Sequence, residues 1–181
     1  MPPNSVTETY VAWKLHIQNW RWAGVPFCLR TGKRMPENLT QIVIQFKQPP
    51  LRMFDGMSFD HSAPNLLTMR IQPDEGVSLK FAAKVTGPGT HVHPMSMDAH
   101  FTTTFGMASA NAYERLLLDC MLGDATLFAH REEVELAWEL VTPILEAWKH
   151  QPARVPSYPA GTWGPTEAES LPEAGHRWRA A

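Results

Sequence analysis

The sequence predicts an α+β fold, a predominantly antiparallel sheet with helices packed on one face and an extended C-terminal tail. Two observations carry that expectation. Residues 9–105 read in short, alternating periods, whereas residues 111–150 read in a helical period. Connections between the alternating runs are mostly short, which suits antiparallel neighbours, because parallel strands need crossovers of roughly a dozen residues or more. The chain therefore divides into a lead-in over residues 1–8, a sheet-and-helix body over 9–150 and a tail over 151–181.

Taken in order, "TYVAWKLHI" alternates with Val11, Trp13, Leu15 and Ile17 on one face, and Tyr10, Ala12, Lys14 and His16 on the other. A second strand is expected over residues 25–31. It breaks at Gly32-Lys33-Arg34 and Pro36-Glu37-Asn38 before "TQIVIQF" begins, so the two runs read as a hairpin with a positive tip. "LTMRIQ", "VSLKFAAKV" and "DAHFTTTF" complete six candidate strands. The loop over residues 52–65 is the long exception and is expected to be mobile.

The helices follow. Asn111 with Glu114 resembles a capping box, Tyr113, Leu116, Leu117 and Cys120 recur at helical spacing, and Gly123 supplies the stop. In the second helix Val134, Trp138, Val141, Leu145 and Trp148 form one apolar stripe, with a kink expected at Pro143. Arg115 is placed to pair with a neighbouring carboxylate. Prolines, glycines and a closing "HRWRAA" make the tail extended chain, either lying against the body or disordered.

Composition excludes several classes of function. At 181 residues and 44% apolar content the chain suits one domain with an ample core. A formal charge of −2 lacks the basic stripe of a nucleic-acid binder, so no nucleic-acid partner is expected and any anion site is local. No apolar run reaches the 18 or so residues of a membrane span. The two cysteines, Cys28 and Cys120, have neither zinc-type nor redox-type spacing, and "MPPNSVTETY" lacks a signal pattern, so a cytoplasmic setting is expected. His91, His93, Asp98 and His100 could suggest a metal, since two histidines at i, i+2 share a strand face, yet a polar strand-end face explains them better. Trp13, Trp20, Trp22, Trp138 and Trp148 read as core and interface residues. On spacing alone Lys33 reads as a solvated turn lysine.

The stretches "LHIQNWRWAGVPFCLRTGKRM", "LTMRIQPDEGVSLKFAAKVTGPG", "ANAYERLLLDCMLGDATLFAHREEVELAWELVTPILEAW" and "YPAGTWGPTEAESL", in that order, resemble the C-terminal part of glucose-6-phosphate dehydrogenases over residues 7–171. The resemblance implies an NADP-dependent enzyme that oxidises glucose 6-phosphate to 6-phosphogluconolactone in the pentose phosphate pathway. It implies that Lys33 contacts the sugar phosphate. Asn38 stands where the family carries a second basic residue, and Gln72 matches another residue near the sugar. A homodimer through the sheet is implied as well.

The family's glycine-rich coenzyme turn and its histidine base have no counterpart in these residues, so no catalytic residue is assigned and the chain alone is expected to be inactive. NADP belongs to the parent enzyme. Some members hold a second, structural NADP; Arg30, Arg70 and Lys80 match that pattern, but Leu39, Val43, Ser78 and Trp163 do not. The three basic residues are therefore expected to be sheet-face ion-pair partners. Two readings follow, a fragment of such a dehydrogenase or a non-catalytic module that dimerises or completes a partner chain. "TWGPTEAES" resembles a family loop, with Glu167 and Glu169 given packing or near-site contacts only.

Overall fold

A computed structural model describes residues 5, 7–48, 64–88, 92–106, 112–150, 156–173 and 175–179. Residues 52–63 of the expected long loop, Asn111 of the expected capping box, and His91 lie outside the described residues. The elements are β1 (Tyr10–His16), β2 (Pro26–Gly32), β3 (Thr40–Gln45), β4 (Leu66–Gln72), β5 (Gly76–Lys84), β6 (Val92–His100), α1 (Phe101–Phe105), α2 (Ala112–Leu122), α3 (Arg131–His150) and a 3-10 helix (Thr166–Ser170). All strand pairs are antiparallel and the class is α+β.

The strands form two sheets, β1-β2 and β3-β4-β5-β6. Two compact units follow from this. One is drawn from Met1–Pro36 and Ala110–Trp178, and the other from Glu37–Ser109 and Arg179–Ala181. The expected hairpin of β2 with β3 is not formed, since β2 pairs β1 and β3 pairs β4. Register explains the choice. Ile42 faces Met69 and Ile44 faces Leu67, so β3 joins β4 with its apolar side chains aligned.

In the first unit, Asn19 turns the chain between β1 and β2 by accepting from the backbone N–H of Arg21 at 3.1 Å and of Trp22 at 2.8 Å. α2 stops at Gly123, whose φ of 73° is left-handed as a helix-ending glycine requires. Arg115 pairs with Asp119 one turn on, Nε to Oδ1 2.9 Å, and Asp119 is buried. α3 runs through Pro143 with Glu132 and Glu133 in its first turn and Lys149 and His150 in its last, as its dipole favours. Its apolar stripe is only partly covered among the described residues: Val141 and Leu145 are half-buried, while Trp138 is 60% exposed and no residue of α3 is fully buried. Trp20, Trp22 and Trp148 are exposed too, so a core role for them is not met within this chain.

In the second unit the registers place Ile42, Ile44, Leu67, Met69, Val77, Leu79, Phe81, Met95 and Met97 on one face. The opposite face carries Gln41, Arg70, Thr68, Ser78, Asp98 and His100. The apolar face is substantially exposed at both edges, where Ile42 and Met97 sit. Among the described residues only Ala168 is a buried hydrophobic residue, so the ample core expected from composition is not built here. The expected strand "DAHFTTTF" divides. β6 ends at His100, and Thr103 and Thr104 donate their hydroxyls back to the His100 carbonyl at 3.0 and 2.8 Å, winding 101–105 into α1, which Gly106 caps.

Candidate functional site

The Lys33 turn is built by close approach. A Cβ at Gly32 would lie 2.7 Å from the Tyr10 ring and 3.3 Å from the Tyr158 hydroxyl, so only glycine lets β2 pass there. Lys33 N–H donates to the Thr9 carbonyl at 2.8 Å, extending the β1-β2 ladder by one residue. The next residue, Arg34, takes φ 52°, a left-handed conformation uncommon outside glycine. Three hydrogen bonds from the tail secure this bend. The Tyr158 hydroxyl is shared between the Lys33 carbonyl, 2.7 Å, and the Thr9 carbonyl, 3.0 Å, and Gly161 N–H donates to the Arg34 carbonyl, 2.8 Å. The Lys33 and Arg34 side chains are exposed, and neither takes part in an ion pair among the described residues.

The described tail lies on the β1-β2 hairpin, the first of the two arrangements expected for it. Tyr158 packs on Tyr10 with ring centroids 5.3 Å apart. Burial pushes the Tyr10 hydroxyl pKa up, and that oxygen is buried without a hydrogen-bond partner among the described residues. The Arg30 guanidinium lies 4.7 Å from the Trp163 ring and 5.0 Å from the Trp178 ring, and the Trp178 indole N–H donates to the Ala168 carbonyl at 2.8 Å. Lys14 reaches Glu173 at 3.4 Å. Glu167 and Glu169 are exposed on the 3-10 helix.

Asn38 and Gln72 belong to the other unit. Asn38 lines a concavity with Glu37, Leu39, Arg70, Pro73 and Asp74. Gln72 ends β4 opposite Thr40 and is exposed; it is not part of that lining. Arg70 reaches toward Asp98 (Nη1 to Oδ1, 4.0 Å) and His100 (Nη2 to Nε2, 3.5 Å), as its expected ion-pair role requires, while its Nε is buried without a partner among the described residues. Hydroxyl hydrogen bonds from Ser78 and then Ser96, aided by Arg70 and His100, hold the Asp98 carboxyl below its usual range. His93 and His100, seven residues apart along β6, fall on opposite faces, and no metal-ligand group forms among the described residues.

A second, structural dinucleotide does not fit these residues. The Arg30 guanidinium is covered by two indoles, Arg70 is engaged with Asp98, and Leu39 and Val43 bring no charge. Sequence reasoning missed Tyr158 and Gly161. They lie more than a hundred residues from the turn they hold, and no local spacing marks them.

Residues 1–179 match the family model described as glucose-6-phosphate dehydrogenase, C-terminal domain. The glucose-6-phosphate 1-dehydrogenase of Mycolicibacterium smegmatis is 52% identical over 97% of this chain and 36% of its own length, and that of Aggregatibacter actinomycetemcomitans is 49% identical over 99% and 35%. The crystal structure of glucose-6-phosphate 1-dehydrogenase from Mycobacterium avium superposes with a TM-score of 0.80 at 35% identity, covering 98% of this chain and 36% of that one. A glucose-6-phosphate dehydrogenase in complex with its substrate glucose-6-phosphate gives 0.75 at 33% identity, covering 87% and 32%. The chain thus spans about a third of the length of the relatives it matches. It belongs to the glucose-6-phosphate dehydrogenase family, as a C-terminal domain.

Proposed function

We propose that this chain is the sugar-phosphate-binding and dimerisation portion of an NADP-dependent glucose-6-phosphate dehydrogenase, with Lys33, Asn38 and Gln72 as its substrate contacts. The observation that carries the reading is the Lys33 turn. An ammonium without an ion-pair partner among the described residues projects from a bend whose backbone is hydrogen-bonded on three sides, which is how a cation is kept ready for an anionic ligand. The match to a relative bound to glucose-6-phosphate supports that ligand.

Asn38 offers an amide to a sugar hydroxyl from the concavity it lines. Hydride transfer from the sugar needs a base and a coenzyme floor. The 181 residues contain no G-x-G-x-x-G turn, and both sheets are antiparallel, so the chain alone is expected to be inactive. In the parent reaction NADP accepts the hydride; this chain's residues bind and orient the phosphate end of the sugar. The parent pathway is pentose phosphate metabolism in the cytoplasm.

The apolar face of β3-β6, exposed along both edge strands, favours association with a second copy, or with a chain carrying the complementary part of the enzyme. A titration of the chain with glucose 6-phosphate tests the reading, run beside Lys33→Ala. Saturable binding that weakens about tenfold or more in the mutant is expected for loss of a charge-assisted contact. Equal binding by both proteins would remove Lys33 from the site. NADPH formation by the isolated chain would overturn its expected inactivity.

A further inference from the structure

We propose that Tyr158, with Gly161, is a positioning residue for Lys33, so that the tail sets the sugar-phosphate affinity of a turn to which it contributes no ligand. The inference rests on the reading of Lys33 given above and adds what holds it. Arg34 takes a left-handed backbone at φ 52°, a conformation that persists in a non-glycine residue only when its surroundings impose it. The β1-β2 ladder supplies one bond to this turn, Lys33 N–H to Thr9 O, and leaves the carbonyls of Lys33 and Arg34 unspoken for. The tail takes both. The Tyr158 hydroxyl donates to Lys33 O and shares its proton with Thr9 O, bridging the end of β2 to the residue before β1, and Gly161 N–H takes Arg34 O.

The anchor for these two donors lies elsewhere. Gly164 approaches Tyr10 so closely that a Cβ would sit 2.4 Å from the ring, and the two indoles on Arg30 secure Trp163 and Trp178. The tail is therefore fastened on the hairpin at Tyr10 and Arg30 by contacts other than its bonds to the turn, and its Tyr158 end has a fixed position from which to define the turn. With the carbonyls of residues 33 and 34 both held, the Lys33 Cα has one direction, and the ammonium loses less freedom on meeting an anion.

Tyr158→Phe tests this, because phenylalanine keeps the ring against Tyr10 and removes only the hydroxyl. The 181-residue chain is titrated with glucose 6-phosphate, its melting temperature is recorded, and amide exchange at Lys33 is followed. Affinity is expected to fall about three- to ten-fold, as loss of one neutral hydrogen bond allows, with the melting temperature nearly unchanged and Lys33 exchange faster. Gly161→Ala is the second variant. Its Cβ meets nothing within 4 Å, but its φ of +82° is strained for alanine, so it disturbs the Arg34 bond while leaving Tyr158 intact. It is expected to lower affinity by a similar factor.

Unchanged affinity in Tyr158→Phe overturns the proposal, as does lost affinity with unchanged Lys33 exchange, which would place the effect elsewhere. Lost affinity that only follows lost melting temperature, and is recovered in both variants on cooling below the transition, would mark a structural role and overturn it too. If the unsubstituted chain binds no glucose 6-phosphate, the reading of Lys33 as a substrate contact fails by itself. Exchange then decides the clamp: faster Lys33 exchange in Tyr158→Phe upholds it, and unchanged exchange overturns it.

Discussion

The two units hold their candidate ligands by different means. In the hairpin unit, the Lys33 turn is fixed by partners 125 to 149 residues away in sequence, through a tail that lies along β1 and β2. In the sheet unit, Gln72 is placed by its ladder partner Thr40, and Asn38 lies just before the strand it introduces. The first arrangement depends on non-local closure and the second on neighbouring strands, which differ in entropic cost. A turn gripped from far away in sequence depends on the tail as well as on the strands that flank it.

The largest effect is expected from Gly164→Ala. Its left-handed φ of +116° and a Cβ 2.4 Å from two Tyr10 ring atoms combine backbone strain with overpacking, costing about 2–5 kcal/mol. Amide exchange should show β1 and β2 losing protection while β4 and β5 keep theirs. Equal loss in both would mean that the units unfold as one and that the contrast between them is only geometric.

Trp178→Ala comes next. It removes one indole from Arg30 and the hydrogen bond to Ala168 O, and because Trp178 is only half-buried the expected cost is about 2 kcal/mol. Chemical denaturation monitored on the hairpin unit measures it. A change below about 0.5 kcal/mol would show that Trp163 alone fastens the tail.

These two positions also mark where sequence reasoning stopped. Five of the six alternating runs, the helical switch after residue 111 and the Gly123 stop were legible because each is a local signal, and Lys33 was legible as a cation beside a turn glycine. The pairing of β2 was not. An alternating run shows which face is apolar but not which partner aligns with it, and Thr40–Gln45 had a better register with β4 than with β2. "FTTTF" looked like strand because threonine and phenylalanine favour sheets, yet two threonine hydroxyls on His100 O turned it into helix. Tyr158 left no signal at all, since its role consists of one oxygen and a carbonyl 125 residues away. The stripe of α3 was read correctly as a stripe, but periodicity does not say what covers it.

Met97→Lys probes the open face of the sheet unit. Met97 is 57% exposed, so folding stability should change by no more than about 0.5 kcal/mol. Self-association is a different matter. The chain is expected to associate at micromolar concentration through this apolar face, and a lysine at its edge strand should shift the sedimentation profile toward monomer. A profile that is monomeric before substitution would remove the sheet face as an association surface.

The smallest effects, and the sharpest contrast, lie in pH. Asp98 in the sheet unit is held low by the Ser78 and Ser96 hydroxyls. A depressed folded pKa means the unfolded chain takes up its proton first, so this contribution is complete above the ordinary aspartate value and is lost as pH falls through the folded one. Tyr10 in the hairpin unit is raised by burial. Its contribution is complete below the ordinary tyrosine value, near 10, and is lost as pH rises through the folded value. Asp124, held low by Thr126, gives the hairpin unit an acid limb of its own, so the discriminating end is the alkaline one. Cys28, raised by burial, and Lys149, raised by its hydrogen bond to Glu146, add to the same alkaline side of that unit. Amide exchange across pH should therefore show β1 and β2 loosening at alkaline pH before β4 and β5 do. Tyr10→Phe should blunt that loss, and Asp98→Asn should flatten the acid limb of the sheet unit alone. An alkaline limb of equal steepness in both units would mean that the tyrosine buried under the tail does not govern the hairpin.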